Sequence, residues 1–239
     1  MKVFSFFTGG KDSTAAILKA IEDGYQPNLL VTIVPKRFDS YLFHAINLGY
    51  TGYHAMLLKK DIIYYGVSGL REKELDELHP LISRLYESGY TMATIGGILS
   101  NYQRRRFEKI FNIYGIDLYS PFWGYPSDEL LDRYLEMGIK YMIVSVSSGG
   151  LDRGCLGWVI DGDDDIDRLI ELGKKYGFNP TGEGGEYESF VLYTPKFWGY
   201  LKPSKYKIYW DGVSGYLELE KVDITSVDKG VSSRIDINI

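Results

Sequence analysis

A glycine-rich turn at residues 8–14 (TGGKDST) constrains this 239-residue chain more than any other segment. The apolar run before it, residues 2–7, predicts a buried strand, and residues 15–21 after it predict a helix. Its two glycines let backbone N–H groups approach a ligand closely, and a helix N-terminus favours an anion. The turn therefore predicts a phosphate-binding site. The structural alternative is an ordinary strand–helix turn capped by Asp12 or Ser13.

This turn differs from the common nucleotide-binding motifs. Gly10 and Lys11 are followed by Asp12, where a Walker motif requires Ser or Thr. The GxGxxG pattern of dinucleotide-binding proteins is not present in the turn either. The turn therefore indicates phosphate binding without either of these motifs.

Composition bounds the class of protein. Hydrophobic residues make up 45% and charged residues 25%, which is typical of a soluble globular chain. The net charge of −5 disfavours nucleic acid as a partner, because proteins that bind naked nucleic acid are usually basic. Cys155 is the single cysteine, which excludes an internal disulfide and a CxxC zinc site. We expect no signal peptide, no membrane span and a cytoplasmic location.

Predicted strands and helices alternate over the first half of the chain. This alternation predicts an α/β fold, with a doubly wound parallel sheet in the N-terminal domain. Pro121 and Pro126 mark a change in composition, so we expect a Rossmann-like domain over residues 1–122. A smaller α/β domain over residues 123–225 and a tail over 226–239 would follow. The predicted elements include helices at 71–87, 102–114, 128–137 and 163–176, a strand at 140–146, a hairpin within 206–219, and a segment at 50–60 that is not a regular helix.

A basic stretch follows the fourth predicted strand, at residues 100–108 (SNYQRRRFE). Ser100 and Gln103 form a capping-box pattern, which predicts that a helix begins there. Ligands of open parallel sheets bind beyond the carboxyl ends of the strands, so these arginines would share an edge with the glycine turn. Arg104 can pair with Glu108, whereas Arg106 points about 200° away from Arg104 on a helix. Which arginine faces a nucleotide therefore stays open, and a solvated basic face is the alternative.

An acidic, glycine-rich segment at residues 182–189 (GEGGEYES) is the third candidate site. It carries three carboxylates, on Glu183, Glu186 and Glu188, which can face a ligand, a metal or an amine. The alternative is a turn with exposed acids. No metal-ligand spacing links the histidines, and Cys155 has no nucleophile context, so we expect structural or surface roles for His44, His54, His79 and Cys155.

The three segments, in this order, resemble the diphthine–ammonia ligase family of the PP-loop, or N-type, ATP pyrophosphatases. Further matches are the segments at 43–47 (FHAIN), 150–157 (GLDRGCLG) and 176–180 (YGFNP), and the resemblance covers about residues 1–225. Thr8 stands where the family signature has serine. The resemblance implies ATP-dependent amidation of diphthine on translation elongation factor 2 through an acyl-adenylate, with AMP and pyrophosphate as products. Because no glutaminase domain is present, ammonium is the expected nitrogen source.

The resemblance also implies roles for individual residues. Thr8, Gly9, Gly10 and Ser13 would hold pyrophosphate oxygens, Lys11 would neutralise phosphate charge, and Asp12 would ligate Mg²⁺. Arg104 or Arg106 would reach a phosphate or the adenylate. The acceptor would meet Gln103, Glu183, Tyr187, Glu188 and the catalytic Glu186. Whether Glu186 holds the trimethylammonium group of diphthine or takes a proton from ammonia stays open.

Three other functions remain possible from the sequence. One is another PP-loop enzyme that modifies tRNA or makes a small-molecule amide, although the acidic pI of about 5.3 and the lack of zinc cysteines weigh against tRNA. A second is a nucleotide-binding module without catalysis, in which the arginine and acidic segments would have no functional role. A third is an interaction protein on a Rossmann-like scaffold. The sequence gives no oligomeric state.

Overall fold

The computed structural model describes residues 1–37, 46–70, 73–96 and 101–226, with the side chains of 101–103 and 128 excepted. His44, Gly97 and Ser100 lie outside the described residues. The chain divides into two compact units, Met1–Tyr125 and Pro126–Ile239. No helix among the described segments is both long and apolar enough to cross a membrane.

The first unit is built on a five-stranded parallel sheet. The strand order is β3-β2-β1-β4-β5. The strands β2 and β3 therefore lie on one side of β1, and β4 and β5 lie on the other. Ligands of such sheets bind where the order reverses, which here is the carboxyl end of β1 and β4. The strands are β1 (Lys2–Phe6), β2 (Pro27–Pro35), β3 (Asp61–Val67), β4 (Tyr90–Thr94) and β5 (Asp117–Tyr119), and the helices are α1 (Lys11–Glu22), α2 (Thr51–Leu58), α3 (His79–Glu87) and α4 (Asn101–Ile113).

The sheet is buried on both faces. Phe4 and Phe6 point to one face, where they pack in a cluster with Phe107 and Phe111 of α4. Phe7 points to the opposite face and packs in a cluster with Ile17, Leu30 and Ala55. Side chains alternate between faces along an extended chain, so the segment from Phe4 to Phe7 supplies rings to both layers.

Two predicted segments of this unit differ from the structure. The helix expected over 71–87 is a 3₁₀ turn at Asp76–Leu78 followed by α3. Pro80 has no N–H to donate to a preceding turn, so a continuous helix through this position is disfavoured. The regular helix α3 therefore begins with Pro80 in its first turn. The segment at 50–60, expected to lie in a loop followed by a helix and not to form a clean helix itself, contains the regular helix α2. Burial of its inner face outweighs the low helix propensity of Thr51 and Gly52.

The described part of the second unit, residues 126–226, contains an antiparallel sheet and the helices α5 and α6. β6 lies at its centre and pairs with β7, β8 and β10, and β10 pairs in turn with β9. The hairpin expected within 206–219 is confirmed as β9 and β10. The α/β fold class expected from the sequence is confirmed as well. The elements are α5 (Ser127–Glu136), β6 (Lys140–Val146), β7 (Val159–Ile160), α6 (Asp163–Tyr176), β8 (Tyr187–Tyr193), β9 (Gly199–Trp210) and β10 (Gly215–Ser226).

Candidate active site

The glycine turn joins β1 to α1 and gathers two hydroxyl groups. The Thr8 hydroxyl lies 3.2 Å from the Ser13 hydroxyl, and the Thr8 N–H donates to the same Ser13 oxygen at 3.3 Å. Ser13 donates to the carbonyl of Gly10 at 3.1 Å. Gly10 occupies the N-cap of α1 and has no side-chain cap, so neither Asp12 nor Ser13 is the capping residue. The turn therefore presents hydroxyls beside a helix N-terminus, as an anion site requires.

A partly buried ion pair lies at the start of α1. Lys11 is only 2% exposed, and its Nζ lies 3.0 Å from Asp12 Oδ2. The Asp12 side chain keeps 22% of its surface exposed. The lysine therefore adds positive charge to the helix N-terminus, and the carboxylate beside it remains accessible to solvent.

The helix α2 forms a wall of the turn. Gly9 has a φ of +78°, and a Cβ at this position would lie 3.0 Å from His54 Cε1 and 3.3 Å from Thr51 Cγ2. His54 is fully buried and packs edge-on against Phe7 with ring centroids 5.6 Å apart. Glycine is therefore required at position 9 both by its backbone conformation and by the close approach of α2. The burial of His54 agrees with the structural role expected for it.

The arginine segment forms the first turns of α4. Arg104 Nε donates to Glu108 Oε1 at 2.6 Å, which confirms the pairing expected from their spacing. The Arg104 guanidinium also lies over the Trp123 ring, 3.9 Å from its centroid. Sequence reasoning missed Trp123, because no periodic pattern connects it to the helix. Arg106 is partly buried on the same helix, and the side chain of Gln103 is not among those described.

In the second unit, Glu186 of the acidic segment turns back on its own loop. Its Oε1 accepts the N–H of Asn179 at 3.2 Å. Its Oε2 is shielded from solvent and has no hydrogen-bond partner in the part of the chain that the structure describes. Glu183 and Glu188 are partly buried and make contacts of their own. A turn with fully exposed acids does not describe this segment.

Neighbouring loops hold the acidic segment in place. Ser147 donates its N–H to the Glu186 carbonyl at 2.9 Å and its hydroxyl to the Gly185 carbonyl. Tyr187 is 2% exposed and donates its hydroxyl to the Pro180 carbonyl at 3.0 Å. The ring and the hydroxyl of Tyr187 therefore both have partners inside the unit, and its role as a substrate-binding residue stays a prediction.

Cys155 lies in the 3₁₀ turn Arg153–Cys155 that follows the loop of Ser147. Its thiol is buried and donates to Asp152 Oδ1 over 3.9 Å. Burial raises the pKa of the Cys155 thiol from its ordinary value. The thiol is therefore poorly suited to act as a nucleophile, as expected from the sequence.

The donor groups fit a magnesium ion that arrives with a nucleotide better than one held by protein alone. Among the described residues, no three His, Cys, Asp or Glu side chains cluster as a metal site. Mg²⁺ bound with ATP commonly takes one or two carboxylates together with phosphate oxygens and water. Asp12, partly exposed beside the predicted phosphate site, is a carboxylate of this kind.

A glycine turn at the switch point of a parallel sheet, with a buried lysine at the helix it opens, is typical of nucleotide-binding α/β proteins. Comparison with family models is more specific. The model for the diphthamide synthase N-terminal domain matches residues 1–118, and the model for the diphthamide synthase C-terminal domain matches residues 127–224. The chain belongs to the diphthamide synthase family, which confirms the resemblance described above.

Individual relatives agree with the family models. Human diphthine–ammonia ligase is 32% identical over 82% of this chain and 80% of its own length, and the mouse protein of that name is 31% identical with the same coverage. The Schizosaccharomyces pombe diphthine–ammonia ligase is 27% identical over 82% of this chain. The chain covers only 35% of that yeast relative's length.

Proposed function

We propose that this protein is a diphthine–ammonia ligase. A diphthine carboxylate oxygen of elongation factor 2 attacks the α-phosphorus of ATP, and pyrophosphate leaves. Ammonia then attacks the acyl carbon of the adenylate, AMP leaves with the electron pair of the broken C–O bond, and a base takes a proton from nitrogen. The observation that carries this proposal is the glycine turn with the buried Lys11 at the switch point of the sheet.

We assign ATP binding to a domain over residues 1–122. The N–H groups of Gly9 and Gly10 and the hydroxyls of Thr8 and Ser13 would bind the β- and γ-phosphates. Lys11 would stabilise the negative charge that develops as pyrophosphate leaves, because a preorganised cation in a buried site is a strong electrostatic stabiliser. Asp12 would hold Mg²⁺, which supplies further neutralisation of phosphate charge when it is bound.

Arg106 is our choice for the arginine that contacts the nucleotide. The guanidinium of Arg104 already pairs with Glu108 and stacks on Trp123. Binding a phosphate through Arg104 would require both of these contacts to be broken, which makes Arg104 a poor candidate for the nucleotide contact. Arg104 would instead hold the α4 side of the unit in place.

We assign acceptor binding to a domain over residues 123–225. Glu186 is the proposed base or cation-binding group, because its Oε1 is fixed by Asn179 and its Oε2 is held inside the loop. Glu183, Tyr187 and Glu188 remain proposed substrate contacts in this domain, and Gln103 is a proposed substrate contact from the domain over residues 1–122. With elongation factor 2 as the substrate, the protein would act in the cytoplasm.

The proposal is tested by the products made from ATP. Purified protein is incubated with ATP, Mg²⁺, ammonium and diphthine-bearing elongation factor 2, and nucleotides and the intact factor are analysed by mass spectrometry. We expect AMP, pyrophosphate and the mass change of one amidation, with ammonium but not glutamine as the nitrogen source. ADP and phosphate would contradict a pyrophosphatase. AMP without amidation of the factor would favour another PP-loop enzyme with a different acceptor.

A further inference from the structure

Tyr176, the last residue of α6, presents a half-exposed aromatic ring in the second unit. The side chain is 50% exposed. Gly150, with a φ of +93°, packs so closely on this ring that a Cβ at position 150 would overlap Cγ and Cδ2 of Tyr176. The Lys175 ammonium lies over the ring, 5.1 Å from its centroid. The ring is therefore held from one side by backbone and already interacts with a cation.

Asn179 and Ser147, which lie close in sequence to Tyr176 and Gly150, are hydrogen-bonded to Glu186. Asn179, three residues after Tyr176, donates its N–H to Glu186 Oε1 at 3.2 Å. Ser147, three residues before Gly150, donates its N–H to the Glu186 carbonyl. Three residues span at most about 11 Å even when fully extended. The aromatic ring and the carboxylate therefore belong to one cluster of loops.

Two other aromatic rings of this unit, those of Tyr187 and Trp158, are less suited to bind the cation of a substrate. Tyr187 is buried, and its hydroxyl is bonded to the Pro180 carbonyl. The Trp158 ring is covered by the Arg168 guanidinium, which lies 4.5 Å from its centroid. Tyr176 combines a ring fixed by backbone packing with a single lysine over it, and a lysine on a flexible four-carbon chain is easily displaced.

We propose that Tyr176 binds the trimethylammonium group of the diphthine side chain through a cation–π interaction, with the Lys175 ammonium displaced when the acceptor binds. The proposal rests on the proposed function and adds the residue that recognises the acceptor's cation. Quaternary ammonium ions prefer aromatic faces, since they cannot donate hydrogen bonds. Glu186, in the same loop cluster, supplies negative charge.

The test compares Tyr176→Leu and Tyr176→Phe with wild type in steady-state amidation of elongation factor 2. Loss of the aromatic face in Tyr176→Leu should raise the KM for the factor about 2- to 30-fold, with the KM for ATP unchanged. Tyr176→Phe keeps the ring and should stay within about 2-fold of wild type. Tyr86→Leu is the matched control, because Tyr86 is 49% exposed on α3 in the other unit.

Inhibition by tetramethylammonium chloride gives a second readout, in which wild type is compared with Tyr176→Leu. The salt should inhibit wild type competitively against elongation factor 2 and not against ATP, and Tyr176→Leu should resist it. Wild-type KM for the factor in a folded Tyr176→Leu, or no competition by tetramethylammonium in wild type, would overturn the role of Tyr176 alone. Absence of amidation by wild type would instead overturn the proposed function, and the role of Tyr176 with it.

Discussion

Gly96, just beyond the end of β4, packs against the backbone amide of Ser13 in the first turn of α1. A Cβ at position 96 would overlap the peptide bond between Asp12 and Ser13. The strand next to β1 therefore supports the helix whose N-terminus forms the predicted phosphate site. Only a residue without a side chain permits this approach.

Gly96→Ala should therefore disturb the proposed phosphate site, because the added methyl group would displace the backbone of α1. We expect kcat for AMP formation to fall about 10²-fold, because a shift of roughly 1 Å in a positioning element can cost that much. Thermal unfolding should show destabilisation of about 1–3 kcal/mol from overpacking. Gly66→Ala is the control, since a methyl group on Gly66 meets no atom within 4 Å. Normal turnover by Gly96→Ala would show that the contact is dispensable.

Asp12→Asn should change the magnesium requirement. The substitution keeps the shape of the side chain but removes the charge that would bind Mg²⁺ and that now pairs with Lys11. We expect kcat to fall about 10²-fold and half-maximal activity to require more Mg²⁺. The measurement is AMP formation against Mg²⁺ concentration, with the exposed Asp117→Asn as control. An unchanged magnesium profile would remove Asp12 from the proposed site.

Alanine substitution of the arginines of α4 should separate stability from nucleotide binding. Arg104→Ala loses the Glu108 pair and the Trp123 stack, so we expect a loss of about 1 kcal/mol in stability and little change in the KM for ATP. Arg106→Ala should raise the KM for ATP about 10-fold, since charge-assisted hydrogen bonds contribute roughly 1.5–3 kcal/mol. Arg105→Ala, exposed on the same helix, should change neither quantity. The reverse pattern for Arg104 and Arg106 would exchange their roles.

Local patterns predicted much of the fold and part of the site. The apolar run of β1, the glycine turn and the helical segment are contiguous in sequence, so the strand–turn–helix unit around residues 8–14 could be predicted directly. Arg104 and Glu108 are four residues apart on one helix, and their ion pair follows from helix geometry. The regularity of helix α2 was not predicted, because burial of its inner face, rather than propensity, stabilises it.

Contacts between distant segments could not be predicted in this way. Gly96 meets Ser13 only because β4 lies beside β1 in the folded sheet, and that neighbourhood depends on strand order. The bond from Ser147 to Glu186 likewise joins two loops at the ends of the paired strands β6 and β8. Such contacts carry no periodic signal, so sequence reasoning identified Glu186 but not the groups that hold it.

Cys155 should react slowly with thiol reagents in the folded protein. Burial raises its pKa from the ordinary value of 9.0, so the thiolate fraction is smaller than that of a free cysteine at every pH below this value. The pKa of the thiol is higher in the folded protein than in the unfolded chain. The buried neutral thiol therefore contributes its full share of the free energy of unfolding below pH 9, and this share is lost as pH rises through the folded pKa. The rate of labelling by a chromogenic disulfide, measured against pH with and without denaturant, checks this. Rapid stoichiometric labelling of folded protein at pH 7 would contradict it.

Substitutions of Glu186 should separate acceptor amidation from ATP binding. Its Oε1 bond to Asn179 fixes the loop, whereas its charge would act on the acceptor. Glu186→Gln keeps the size of the side chain and an oxygen for the Asn179 N–H, but it removes the charge. We therefore expect ATP affinity, measured by titration, to stay near that of wild type, and amidation of elongation factor 2 to fall about 10²-fold, as for loss of a general base.

The comparison with Glu186→Ala and a control shows which property of the side chain matters. Glu186→Ala loses both the charge and the Asn179 bond, so it should amidate no better than Glu186→Gln and unfold at a lower temperature. Glu171→Gln, at an exposed position of α6, controls for the loss of one negative charge from the unit. Normal amidation by Glu186→Gln with a defect only in Glu186→Ala would make Glu186 a structural residue of the loop. Loss of ATP affinity in Glu186→Gln would instead assign this carboxylate to the nucleotide site, because a residue that acts only on the acceptor leaves ATP binding unchanged.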